Sequence, residues 1–100
     1  MDKTTNSIIT ITKALVPDAK IILFGSRARG DYTKESDFDI AIISAQATNK
    51  RALYSQLNKA IYEKIQQPID LVLYTPEEYE QGKNGFLPEL IEKEGIPLTS

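Results

Sequence analysis

Residues 21–43 read Ile21-Ile22-Leu23-Phe24-Gly25-Ser26-Arg27-Ala28-Arg29-Gly30-Asp31-Tyr32-Thr33-Lys34-Glu35-Ser36-Asp37-Phe38-Asp39-Ile40-Ala41-Ile42-Ile43. Two isoleucine-rich runs flank a polar centre, and both are too short for a helix. Residues 20–24 and 37–43 are therefore predicted to be buried strands. Gly25-Ser26 forms a tight turn after the first run. Residues 26–29 can form a helical turn opened by Ser26, and Gly30 through Ser36 a polar loop. A third apolar run, Leu71-Val72-Leu73-Tyr74, follows Ile69-Asp70 and predicts a strand over residues 69–74.

Working outward, residues 49–66 give the clearest helix. Leu53, Leu57, Ala60, Ile61 and Ile65 make one stripe, Asn49 can cap it, and Pro68 lies just beyond. Residues 7–15 are ambiguous: Ile8, Ile11, Thr12 and Leu15 fit a helical stripe, but β-branched residues weaken it. Thr75-Pro76-Glu77-Glu78 is a strong helix start, with cap, proline and acids in order. Gly82 to Gly85 breaks that helix. Phe86 to Glu94 can form a last one, stopped by Gly95 and Pro97. The pattern is α/β (α+β), with a small mixed three-stranded sheet flanked by helices.

The crossover from strand two to strand three passes through the long helix, so the two should run parallel. Asp37, Asp39 and Asp70 then fall at one sheet edge. Gly25-Ser26 reaches that edge only if strand one is antiparallel to strand two.

One hundred residues suffice for a single domain, 1–100. A net charge of −2 argues against a stable, nonspecific grip on nucleic acid. The chain has no Cys and no His. That removes disulfides, thiolate metal sites, the Ser-His-Asp triad and the commonest general base. Any metal must bind through oxygen, which favours magnesium, calcium or manganese. No apolar run approaches membrane-spanning length, and the polar N-terminus lacks a secretory pattern, so a cytoplasmic location is the default expectation.

Asp37 and Asp39 are two apart on a strand, so both point to one face, about 6–7 Å apart at Cα. Alone, such a pair is most often two solvated acids at a strand entrance. Gly-Ser ahead of it, and Asp70 between two apolar residues at the next strand's entrance, favour a shared site. Gly25 lets backbone approach a phosphate, and Ser26 adds a hydroxyl. Arg27 and Arg29 suit phosphate contact; the alternative is charge pairing with Asp31 or Glu35. Donors for phosphate beside three carboxylates meet the needs of magnesium-dependent transfer from a nucleoside triphosphate. The turn is neither a P-loop nor Gly-x-Gly-x-x-Gly, and the tyrosines are too scattered for a base-stacking platform.

Leu23-Phe24-Gly25-Ser26-Arg27-Ala28-Arg29-Gly30-Asp31, with Ser36-Asp37-Phe38-Asp39-Ile40-Ala41 and Ile69-Asp70-Leu71-Val72, resembles the DNA polymerase β nucleotidyltransferase superfamily. It is most similar to the minimal nucleotidyltransferases (MNT). The resemblance implies two Mg²⁺ ions held by Asp37, Asp39 and Asp70, and an ATP triphosphate held by Gly25 and Ser26. It implies transfer of a nucleoside monophosphate, commonly AMP, to a hydroxyl, with pyrophosphate leaving. No motif position is degraded, so an active enzyme is expected. Members of this family often act as antitoxins that adenylylate a tyrosine of a helical HEPN toxin. A chain of this length has no room for the acceptor-enclosing helical domain of small-molecule nucleotidyltransferases, so an open cleft completed by a partner is expected. The alternatives are a binding module that neutralises by occlusion, and a nucleotidyltransferase acting on small molecules.

Overall fold

The computed structural model describes residues 3–82 and 86–99. The element order is α1 (Lys3–Leu15), β1 (Lys20–Phe24), α2 (Ser26–Arg29), β2 (Phe38–Ile43), α3 (Lys50–Lys64), β3 (Ile69–Tyr74), α4 (Pro76–Gln81), α5 (Leu87–Glu94) and β4 (Ile96–Pro97). The strands form one mixed sheet in the order β3-β2-β1-β4. β1 is antiparallel to β2, and β2 is parallel to β3, as the crossover argument requires.

The expected three-stranded sheet is thus a four-stranded one. β4 pairs antiparallel to β1, with Ile22 opposite Pro97 and Leu23 opposite Ile96. Two residues, one a proline, carry no alternation to read, and proline is confined to strand edges. The edge is extended beyond the strand proper: the Leu98 amide donates to the Ile21 carbonyl, and the Ile21 amide donates to Thr99 Oγ1.

The two sheet faces carry separate apolar clusters. Ile21, Leu23, Phe38, Ile40, Ile42, Leu71 and Leu73 pack under α1 and α3 against Ile8, Leu53, Leu57 and Ile61. Ile22, Phe24, Ala41 and Ile43 meet Tyr79 of α4 and Ile91 of α5 on the other face. Each fully buried Ile or Leu contributes about 1.5–3 kcal/mol by leaving water. α1 begins at Lys3, earlier than the ambiguous stretch 7–15. Its buried stripe is Thr5, Ile8 and Thr12, whereas Leu15 is exposed. Packing against the core outweighs the modest helix penalty of its β-branched residues.

α3 ends at Lys64 because Ile65 turns extended, four residues before β3. Asn49 caps its start through the Ala52 amide. α4 opens with a capping box between Thr75 and Glu78, as its sequence foretold. The expected break through Gly85 lies partly outside the described residues; Gly82 does end α4. Among the described residues no helix is long and apolar enough to cross a membrane.

Candidate active site

β2 and β3 run in register, so Asp39 stands directly beside Asp70, and Phe24 of β1 lies on the other side of Asp39. Side chains alternate across a strand. Asp39 therefore shares the face of Ala41 and Ile43, and Asp70 that of Val72 and Tyr74. This is the α4/α5 face, and the acids occupy the edge that its apolar cluster leaves open. Asp37 precedes β2 and is exposed, Asp39 is half-buried, and Asp70 is exposed. Burial, then the neighbouring charges of Asp70 and Asp37, push the Asp39 carboxyl above its ordinary range, while Arg29 pulls it down. The three acids, drawn from two distant stretches of the sequence, thus share one electrostatic neighbourhood.

Gly25 completes this edge. Its φ is +75°, a region open to glycine, and it is the residue before α2. A Cβ placed there would collide with the Asp39 carboxylate. The missing side chain is what lets the turn's backbone and the Asp39 side chain touch. The amides of Ala28 and Arg29 donate back to the Gly25 carbonyl. Those of Ser26 and Arg27 find no acceptor among the described residues, nor does the Ser26 hydroxyl. The turn therefore presents unsatisfied donors beside the acidic cluster, which suits a phosphate.

The two arginines separate. Arg27 donates to the carbonyls of Thr33, Lys34 and Ser36, and its guanidinium sits 4.0 Å over the Phe38 ring and 4.6 Å over that of Tyr32. It ties the 30–36 loop to the start of β2. Its side chain makes no pairing with Asp31 or Glu35 among the described residues. Arg29 does reach the turn's side. Its Nε pairs with Asp31 at 3.3 Å, the charge pairing considered from sequence, and its Nη1 pairs with Glu94 at 3.2 Å.

Glu94 escapes a reading of the sequence. It is the last residue of α5, and its Oε1 also accepts the Gly25 amide at 3.0 Å. One signal could have flagged it. An acid in the last turn of a helix opposes the helix dipole and needs donors from elsewhere. Nothing in the sequence says that those donors lie 69 and 65 residues away.

Asp37, Asp39 and Asp70 offer carboxylate oxygens to a cation. All are hard oxygen donors, and the like-charge pressure on Asp39 is what a cation would relieve. Among the described residues no three acidic side chains already stand close enough together to enclose a cation. Magnesium does not demand a protein cage: it is usually held by one or two carboxylates together with substrate phosphates. Asp39 and Asp70, with Asp37 two residues upstream, fit that manner of binding. The hollow of about 630 Å³ beside Tyr62, Ile65 and Pro68 is lined by none of the three acids.

Residues 6–97 match the nucleotidyltransferase domain family. The chain belongs to that family. A 24-residue segment is 79% identical to "Putative protein adenylyltransferase MJ0604" of Methanocaldococcus jannaschii, covering 24% of each chain. A 37-residue segment is 51% identical to "Probable protein adenylyltransferase MntA" of Haemophilus influenzae, covering 37% of this chain and 32% of that one. The aligned segments thus span about a third or less of these relatives' lengths. The fold is also similar to a chain in the "Crystal structure of the toxin-antitoxin with AMP-PNP", with TM-score 0.75 and 25% identity, over 96% of this chain and 73% of that one. The expected polymerase β-like nucleotidyltransferase core is the fold observed.

Proposed function

We propose that this nucleotidyltransferase domain moves AMP from ATP, with magnesium, onto a hydroxyl of a partner protein. The acceptor in this reading is a tyrosine of a HEPN-type toxin, and the chain acts as its antitoxin in the cytoplasm. The observation that carries it is the single row in which Asp39 stands beside Asp70 and over the Gly25 turn. Support for adenylyl transfer to a protein comes from the relatives' names. Support for a toxin partner and an adenine nucleotide comes from the toxin–antitoxin structure that contains AMP-PNP. The tyrosine and the HEPN class rest on the motif resemblance.

In this reading Asp37, Asp39 and Asp70 are the metal ligands, and the Ser26 and Arg27 amides with the Ser26 hydroxyl take phosphate oxygens. Arg29 adds positive charge beside them, and Arg27 acts indirectly by fixing the 30–36 loop. The acceptor oxygen attacks the α-phosphorus, the bond from that phosphorus to the bridging oxygen breaks, and pyrophosphate leaves. The hydroxyl proton passes to Asp70 or to water, since the chain has no histidine. Two magnesium ions, when bound, supply charge neutralisation for the triphosphate and a lowered pKa for the acceptor hydroxyl. The protein's own task is positioning.

The test uses ATP labelled at the α-phosphate, magnesium, and the protein encoded beside this chain. Label should pass to that protein with wild type and not with Asp37→Asn/Asp39→Asn. A double variant that still neutralises its partner without labelling it would establish the occlusion reading. Turnover of a small acceptor without any second protein would establish the small-molecule reading.

A further inference from the structure

We propose that Glu94 is a positioning residue of the nucleotide site, fixing the Gly25 turn and aligning Arg29 before a triphosphate arrives. This rests on the reading of the Gly25–Ser26 turn and Arg29 as the phosphate side of that site.

One carboxylate joins three pieces of the molecule. Glu94 Oε1 accepts the Gly25 amide at 3.0 Å, and both its oxygens lie 3.2 Å from Arg29 Nη1. Its side chain is only 16% exposed, against 47% for Arg29. Its backbone is fixed by packing. The next residue, Gly95, donates its amide to the Ile91 carbonyl at 2.7 Å, and a Cβ there would stand 2.6 Å from Ile22 Cγ2 on β1. The end of α5 therefore lies directly on the sheet, and Glu94 reaches the turn from a rigid base.

The consequence for Arg29 is geometric. Asp31 holds Nε and Glu94 holds Nη1, while Nη2 has no partner among the described residues. A guanidinium held on two of its nitrogens has already lost most of its rotamer freedom, and one edge still faces outward. An incoming phosphate meets that edge without the ordering cost of a free arginine. The bond to the Gly25 amide likewise holds the φ-positive turn, so the Ser26 and Arg27 amides stay aligned. A carboxylate that merely occupied the phosphate donors would compete with nucleotide. Glu94 instead takes the Gly25 amide and one Arg29 nitrogen, and leaves the Ser26 and Arg27 amides free.

Calorimetric titration of magnesium AMP-PNP into wild type, Glu94→Gln, Glu94→Ala, Arg29→Ala and Arg29→Ala/Glu94→Ala tests this. Glu94→Ala should weaken uptake about tenfold, and Glu94→Gln, which still accepts both bonds, less than about threefold. The double variant should lose clearly less than the product of the two single losses, because part of the effect of Glu94 runs through Arg29 and the rest through the Gly25 amide. In nucleotide-free protein, exchange of the Gly25 amide should speed up at least about tenfold in Glu94→Ala and stay protected in Glu94→Gln. Should Glu94→Ala fail to fold, Glu94→Met keeps the bulk without the acceptor and takes its place. Uptake by Glu94→Ala equal to or tighter than wild type, or losses that multiply in the double variant, would overturn the role of Glu94 alone. No uptake by wild type would overturn the nucleotide reading itself, and unchanged Gly25 exchange would then overturn the clamp independently.

Discussion

The two faces of one sheet do different work. Under α1 and α3, strand residues at every second position are apolar and buried: Phe38, Ile40 and Ile42 on β2, Leu71 and Leu73 on β3. On the other face the same two strands carry Asp39, Ala41 and Ile43, and Asp70, Val72 and Tyr74. That face is apolar where α4 and α5 cover it and acidic where they stop. An antiparallel β1 and a parallel β3 bring the Gly25 turn and both strand-entry acids to that uncovered edge. The first face can therefore bear stability while the second tolerates the repulsion of clustered charge. Substitutions on the two faces should then separate activity from stability.

The largest separation is expected at the acidic edge. Asp70→Asn removes one charge from an exposed side chain that makes no hydrogen bond among the described residues, so thermal stability should change little. Transfer should fall about 10³-fold, the equivalent of several kcal/mol of charge stabilisation at the reacting phosphate. Melting curves and single-turnover labelling on the same preparation check both halves. Equal activity of variant and wild type would remove Asp70 from the site.

The opposite outcome is expected on the other face. Leu57 is fully buried in the α3 stripe. Leu57→Ala should cost about 2–5 kcal/mol of stability by lost burial and a residual cavity. Urea unfolding measures this, and transfer per folded molecule should stay near wild type. A variant of normal stability but lost activity would mean that the two faces are not separable.

Much of this division could be read from the chain, for a physical reason. Strand periodicity is local, so residues 20–24 and 69–74 were readable from their own composition, as were the α4 capping residues. That Asp37, Asp39 and Asp70 share one sheet edge followed from one topological rule about crossovers; the register that sets Asp39 beside Asp70 did not. What escaped depends on contacts between distant segments. β4 is created by β1 rather than by its own two residues. α1 is longer than its β-branched sequence suggests because the core recruits it. Arg27 and Arg29 are chemically alike and two positions apart, yet one stacks on Phe38 and the other meets Glu94. Their spacing holds no information about which does which.

Two aspartates, one near each end of the sheet, should show opposite and modest pH behaviour. Asp18 precedes β1, and its carboxylate accepts the Ser44 hydroxyl at 2.7 Å and the Ala45 amide at 3.0 Å. The Ser44 bond, helped by the Ala45 amide and Lys13, holds its carboxyl below the ordinary 3.8. The unfolded chain binds the proton more tightly there, so Asp18 stabilises the fold above pH 3.8 and that contribution fades as pH falls through its lowered value. Asp39 is raised above 3.8 by burial and by Asp70 and Asp37, so the folded state is the better proton binder. Its favourable contribution is complete below pH 3.8 and disappears as pH rises through its raised value. In metal-free buffer at pH 7, Asp18→Asn should therefore be less stable than wild type and Asp39→Asn more stable. Below pH 3.8 the first difference should shrink with the lowered Asp18 carboxyl, and the second should shrink as pH falls toward 3.8. Both shifts are small because both side chains keep contact with solvent, which screens their charge. Urea unfolding at pH 3, 4, 5 and 7 reads them. An Asp39→Asn variant no more stable than wild type at pH 7 would mean that the acidic edge carries no stored repulsion, and magnesium would then have nothing to relieve.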